Sequence, residues 1–224
     1  MIVRLTFLLL ATCVASAMAA DDEYRAEPTD AAPPADELSP AIAKQLSDSG
    51  FKVVTAQDRT LCEIWPAKAW TVAADFKPSG GIVYPFEFGE LIGVVRYARK
   101  AGDFRGQSIR KGTYTMRYGL QPQDGNHIGT SDTRDFVVLI PAADDSAAQP
   151  LEKDPLFKES KKASKTTHPA ILSLLPVGEK SDQLPRMVHN EPRELWAVDF
   201  AGKASGDKAK QFVVELVVVG HAPE

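Results

Sequence analysis

The stretch richest in groups able to do chemistry is Asp124-Gly125-Asn126-His127-Ile128-Gly129-Thr130-Ser131-Asp132-Thr133-Arg134-Asp135. Counted from Asp124, side-chain oxygens fall at positions 1, 3, 9 and 12 (Asp124, Asn126, Asp132 and Asp135), with Gly129 at position 6, as in a calcium loop. Ile128 breaks the pattern at position 5, and Asp135 is shorter than the glutamate that position 12 takes. An ordinary hairpin loop accounts for the same residues, because Asn and Asp side chains bond their own backbone. Calcium on Asp124, Asn126, Asp132 and Asp135 therefore stands as the alternative to a ligand-binding loop.

Histidine offers a second chemistry. His127, with His168 and His189, supplies imidazoles able to bind a transition metal such as zinc. Their spacing carries no motif, so any convergence must come from the fold. The chain has no H-E-x-x-H, no paired-cysteine site, no G-x-S-x-G and no Gly-rich phosphate loop. Glu63, Glu87 and Glu90 could pair as glycosidase acids only if the fold gathered them. Cys62 stands alone in Leu61-Cys62-Glu63-Ile64-Trp65, which reads as a small core residue and not a nucleophile. Trp65, Trp70 and Tyr84 would stack sugars if exposed, but their apolar surroundings favour the core. Lys158, Lys161, Lys162 and Lys165 could touch an anionic polymer or cell-surface lipid, but the solvated face of a helix is the favoured reading.

These residues need a scaffold, and the sequence points to a mainly-β one. The 224 residues are 44% hydrophobic and 25% charged, which excludes wholesale disorder. A net charge of −4 provides no general field for nucleic acid. Period-two alternation is cleanest over Thr113–Leu120: Tyr114, Met116, Tyr118 and Leu120 share one face, and Thr113, Thr115 and Arg117 the other. Eight further strands are expected, over 52–55, 61–65, 70–76, 91–98, 135–140, 170–174, 194–200 and 211–219. About nine short strands with turns between them predict an antiparallel β-sandwich. Two helices are expected, one opened by Ser39-Pro40 and running toward Gly50, the other capped by Asp154 and running toward Lys165.

The N-terminus reads as an export leader over residues 1–20. Arg4 precedes an apolar stretch, Leu5–Val14, and Ala15–Ala20 offers small residues for cleavage. Leu10-Ala11-Thr12-Cys13 loosely resembles a lipobox, but Thr12 before the cysteine is atypical. Residues 21–38 are acidic and Pro/Ala-rich, and are expected to form a disordered arm before a single domain over 39–224.

Lys111-Gly112-Thr113-Tyr114-Thr115-Met116 resembles the glycine-T-Y strand of secreted bacterial β-sandwich families. Arg134–Ile140, followed by Ser160–Ser164 and Thr167–Leu172, is similar to an exported bacterial family of uncharacterised function. The resemblance covers roughly Phe51 onward and implies a sandwich fold and export, with no activity. The expected function is a non-enzymatic binding module in the periplasm or outside the cell. Its binding residues would be Asp124, Asn126, His127, Asp132 and His168, its partner a protein, carbohydrate or small molecule. Two alternatives accompany it. One is a metal-dependent hydrolase of an envelope polymer, with His127 and His168 as ligands and a carboxylate beside them in a cleft. The other is a structural envelope protein with a broad apolar patch.

Overall fold

The computed structural model describes residues 24–125, 127, 129–179, 181–205 and 211–223. The expected leader, Cys13 and Asn126 lie outside the described residues. The strands are β1 (Tyr24–Thr29), β2 (Gly50–Thr55), β3 (Thr60–Pro66), β4 (Leu91–Tyr97), β5 (Ala101–Gly102), β6 (Ser108–Ile109), β7 (Gly112–Leu120), β8 (Asp135–Pro141), β9 (Ala170–Leu175), β10 (Arg186–Asn190), β11 (Leu195–Lys203) and β12 (Gln211–Val219). Two helices, α1 (Pro40–Ala43) and α2 (Lys153–Ser164), interrupt them.

Mainly-β, antiparallel architecture is as expected, but the strands form one continuous sheet. Its ten strands run in the order β1-β2-β3-β4-β7-β8-β9-β12-β11-β10, with β5 and β6 paired apart. Right-handed twist accumulates across so many strands and coils the sheet. Its outer edges, β1 and β10, come into contact, which makes the sheet nearly a barrel. Tyr24 of β1 lies edge-on to Trp196 of β11, with ring centroids 5.4 Å apart. The expected division into two sheets is thus replaced by a sheet rolled around its own core.

That core takes one face of every long strand. Tyr114, Met116 and Tyr118 of β7 point into it beside Ile64, Val95, Leu139, Leu174, Phe200 and Leu216. Strands apolar on both faces are explained by three smaller clusters outside the roll. Residues around α1 cover Trp65 and Val94, and Leu156 of α2 covers Val138 and Ile140. Phe104 covers Phe136, Leu195 and Val217.

The opposite face of β7 carries Thr115 and Arg117. Arg117 is fully buried beneath the segment that follows β8. Its Nε and Nη2 bond both oxygens of Asp145, at 2.7 and 3.0 Å. The remaining donors meet the carbonyls of Gly89, Gln149 and Ala147. All five guanidinium N–H groups are therefore used, and Thr115 Oγ1 donates to Asp145 as well. This clasp fixes the approach to α2, which supplies part of the candidate site.

Four expectations need correction. Residues 24–29, expected within a disordered arm, form β1, paired with β2 from Tyr24↔Thr55 to Thr29↔Gly50. Tyr24 and Ala26 pack on the core, and farther along Leu38 is buried. Few apolar groups suffice here, because a ready β2 edge supplies the backbone partners. The strand expected over 70–76 is reduced to single bridges at Trp70 and Val72. Beyond Trp70 its alternating residues are too small or too exposed to anchor a ladder. Trp70 instead drives its indole against Gly202, where a methyl group would overlap the ring. Helix α1 stops at Ala43, because Leu46 leaves it to bridge Ala67. Finally, α2 starts at Lys153 with Glu152 as N-cap, and β10 is a strand with no forecast.

Candidate functional site

A cleft of about 740 Å³ opens on the outer surface of the sheet. Gly119, Phe136, Val138 and Ile171 form its base, and Phe157 of α2 closes one side. The rim comes from four connections: β5–β6 with Arg105, β7–β8 with His127, α2–β9 with His168, and the C-terminal tail with His221. Gly119 belongs to the outward row of β7, where a Cβ would come 2.9 Å from Val138. The absent side chain leaves the base of the cleft open.

Hydrogen bonds brace this rim before any ligand arrives. Asp103, 2% exposed, accepts from the backbone N–H groups of Arg105, Gln107 and Ile171 and from the Gln107 amide. Burial raises its carboxyl above the ordinary range, and these donors oppose that rise. Gln107 in turn donates to Pro169 O and accepts from Thr166. Ser164 Oγ donates to His168 O at 2.6 Å, which holds the turn that carries this imidazole. Phe104 N–H bonds Ile171 O, and Ala222 N–H bonds Phe104 O, so the tail is stitched to the same wall. In the β7–β8 loop, His127 Nδ1 lies 2.6 Å from Asp124 Oδ1, and Thr130 Oγ1 donates to His127 O.

The sequence-derived candidates divide clearly. His127 and His168 share the cleft. Asp124 touches it only through His127. Asp132 pairs instead with Arg193, at 2.7 Å. Asp135 is fully buried, and its oxygens accept from Val83 N–H, Tyr84 N–H and the Tyr118 hydroxyl. It is a structural acceptor, so the calcium set of Asp124, Asn126, Asp132 and Asp135 is not assembled around a common point by the described residues. His189 is elsewhere, stacked on Trp196 with centroids 4.0 Å apart. Among the described residues no group of three or more His, Cys, Asp or Glu side chains is placed to hold a metal ion.

Other candidates prove structural. Trp65, Trp70 and Tyr84 are buried, with indole N–H bonds from Trp65 to Ala31 O and from Trp70 to Ile92 O. Glu63 pairs with Arg96, and Glu90 accepts from Thr71 N–H. Burial pushes the Cys62 thiol up to about 12, which keeps it protonated and inert. Residues missed in the sequence are Arg105, Phe157 and His221, while Lys161 was visible there only as part of a solvated helix face. Their signal was absent because three separate elements, the β5–β6 connection, α2 and the C-terminal tail, bring them together.

A second cluster lies away from the cleft. Arg186, Asp199 and Glu215 occupy one cross-strand row over β10, β11 and β12. Arg186 Nε bonds Asp199 Oδ2 at 2.8 Å. Asp199 Oδ1 receives no permanent donor, and its neighbour in register is the Glu215 carboxyl. Burial, reinforced by Asp199, pushes Glu215 up to about 7. Tyr84 completes the cluster, its hydroxyl donating to Leu175 O and accepting from Glu215 N–H.

The chain matches no protein-family model, no curated protein and no solved structure, so function is argued from the site itself.

Proposed function

We propose that this protein is an exported, non-enzymatic binding module that holds a small molecule in the cleft between His127, His168 and Phe157. The observation that carries this reading is the cleft itself. At about 740 Å³ it falls in the range of ligand pockets, with an apolar base and a few polar groups on its rim. The braced rim lowers the cost of binding, because little must be ordered when a ligand enters. The binding residues of the reading are His127 and His168, with Phe157, Arg105 and Lys161 added.

A neutral fluorescent probe, N-phenyl-1-naphthylamine, tests the reading. The full chain is expected to bind it saturably at one site. Thr167→Trp, which places an indole on an exposed rim position, is expected to abolish that binding with melting temperature unchanged. Absence of saturable binding, or equal binding in the variant, would sink the proposal. Export rests on Arg4, Leu5–Val14 and Ala15–Ala20. N-terminal sequencing of chain recovered from a bacterial periplasm is expected to find cleavage after Ala19 or Ala20, and an intact Met1 would refute it.

A further inference from the structure

We infer that the cleft selects a small amphipathic anion, with its acidic head at Arg105 and Lys161 and its apolar body over the base formed by Phe136, Val138 and Phe157. This inference rests on the proposed binding role and specifies its ligand class. Charge is distributed against the average of the chain. The sequence has 30 acids to 26 basic residues, yet the described residues lining the cleft include Arg105 and Lys161 and no Asp or Glu.

Pairing adds a second line of argument. Arg25, Lys52, Arg96, Lys162 and Arg193 each meet a carboxylate. Lys161, adjacent to Lys162 in the chain, forms no ion pair with a described residue, and neither does Arg105. Acids on these elements are engaged elsewhere, Glu159 of α2 with Lys162. Asp103 is saturated by its four donors, and Asp124 lies against His127. An incoming anion therefore meets unneutralised positive charge in a concave site, where field lines are focused.

The base explains why a bare anion is insufficient. Phe136 and Val138 keep little exposed surface, so the gain of roughly 25 cal/mol per Å² comes from covering the half-buried Phe157 and Ile171 and from removing the ligand's own apolar body from water. Carboxylate, sulfonate and phosphate-monoester heads share the chemistry that Arg105 would recognise through its planar donors and Lys161 through its point charge.

Competition against bound N-phenyl-1-naphthylamine on the full chain decides the matter. Octanoate is expected to displace the probe at concentrations at least tenfold lower than octanol or octylammonium. Acetate and inorganic phosphate are expected to leave it in place. In the double variant Arg105→Ala/Lys161→Ala, octanoate and octanol should displace the probe at equal concentrations, each referred to the probe affinity measured for that variant. Equal potency of octanoate and octanol, or a preference that survives the double variant, would overturn the inference and leave the binding module standing. Displacement by acetate or phosphate would overturn the need for an apolar body. Failure of the probe to bind would remove the binding module, and this inference with it.

Discussion

Arg117 and Arg186 each meet a buried aspartate on the sheet, and the two clusters reach opposite electrostatic solutions. Around Arg117, Asp145 is the acid bonded to the guanidinium, and every donor of the cation is accepted. Around Arg186 there are two acids to one cation, and Asp199 Oδ1 lacks a permanent donor. Buried charge is tolerated when opposite charges and hydrogen bonds fill every valence. Where acids outnumber cations, a proton supplies the balance, and Glu215 holds it. The lesson is that burial alone does not make a site pH-sensitive. At Glu215 burial is the first cause, and the second acid, Asp199, with a single cation between them, adds to it.

Breaking the balanced cluster should have the larger effect. Arg117→Met leaves Asp145 with Thr115 and Ala147 as donors and strands the carbonyls of Ala147 and Gln149, while Gly89 O keeps the Leu151 N–H. A loss of about 3–5 kcal/mol is expected in urea unfolding at neutral pH, the usual cost of breaking a buried pair. A loss below about 1 kcal/mol would show that the segment after β8 does not depend on the clasp.

Removing the excess acid from the other cluster should have a smaller effect, of opposite sign. The folded protein keeps the Glu215 proton up to about pH 7, and the unfolded chain releases it near 4.5. The folded state therefore binds more protons between these limits, so stability falls as pH rises through that window. Asp199, also raised by burial, adds to the same trend. Glu215→Gln retains a donor for Asp199 Oδ1 without the charge. It is expected to be more stable than the parent by on the order of 2–3 kcal/mol at pH 8, with the gap closing toward pH 4. Parallel stability curves for the two proteins would break the contrast between the clusters.

The sequence was most legible where one face of a strand does one job. Over β7, period-two alternation correctly placed Tyr114, Met116 and Tyr118 in the core and Thr115 and Arg117 outside it. It said nothing about Asp145, which reaches Arg117 from 28 residues away. Trp70 misled because alternation cannot distinguish a strand from a single plug seated over Gly202. β1 was hidden for the opposite reason, since its pairing relies on backbone groups that every sequence has. At the site, His127 and His168 were visible as residue types. Arg105 and Lys161 acquire meaning only from the neighbours that fail to pair with them.

Strand order also sets the order in which the chain can assemble. From β1 to β9, each strand of the main sheet lies beside the next one of that sheet in the chain, and β10, β11 and β12 do the same in reverse. The second meander closes through short connections, 191–194 and 204–210, whereas the first must also close longer ones over 30–49, 67–90 and 142–169. Among the described residues the strands of the two meanders pair where β9 meets β12, Leu174 against Leu216 and Leu175 against Glu215. Pairing β9 with β12 closes the connection over residues 176–210, longer than either connection within the second meander. Glu215 stands on this seam, so the acidity of the medium acts where two ribbons become one wall.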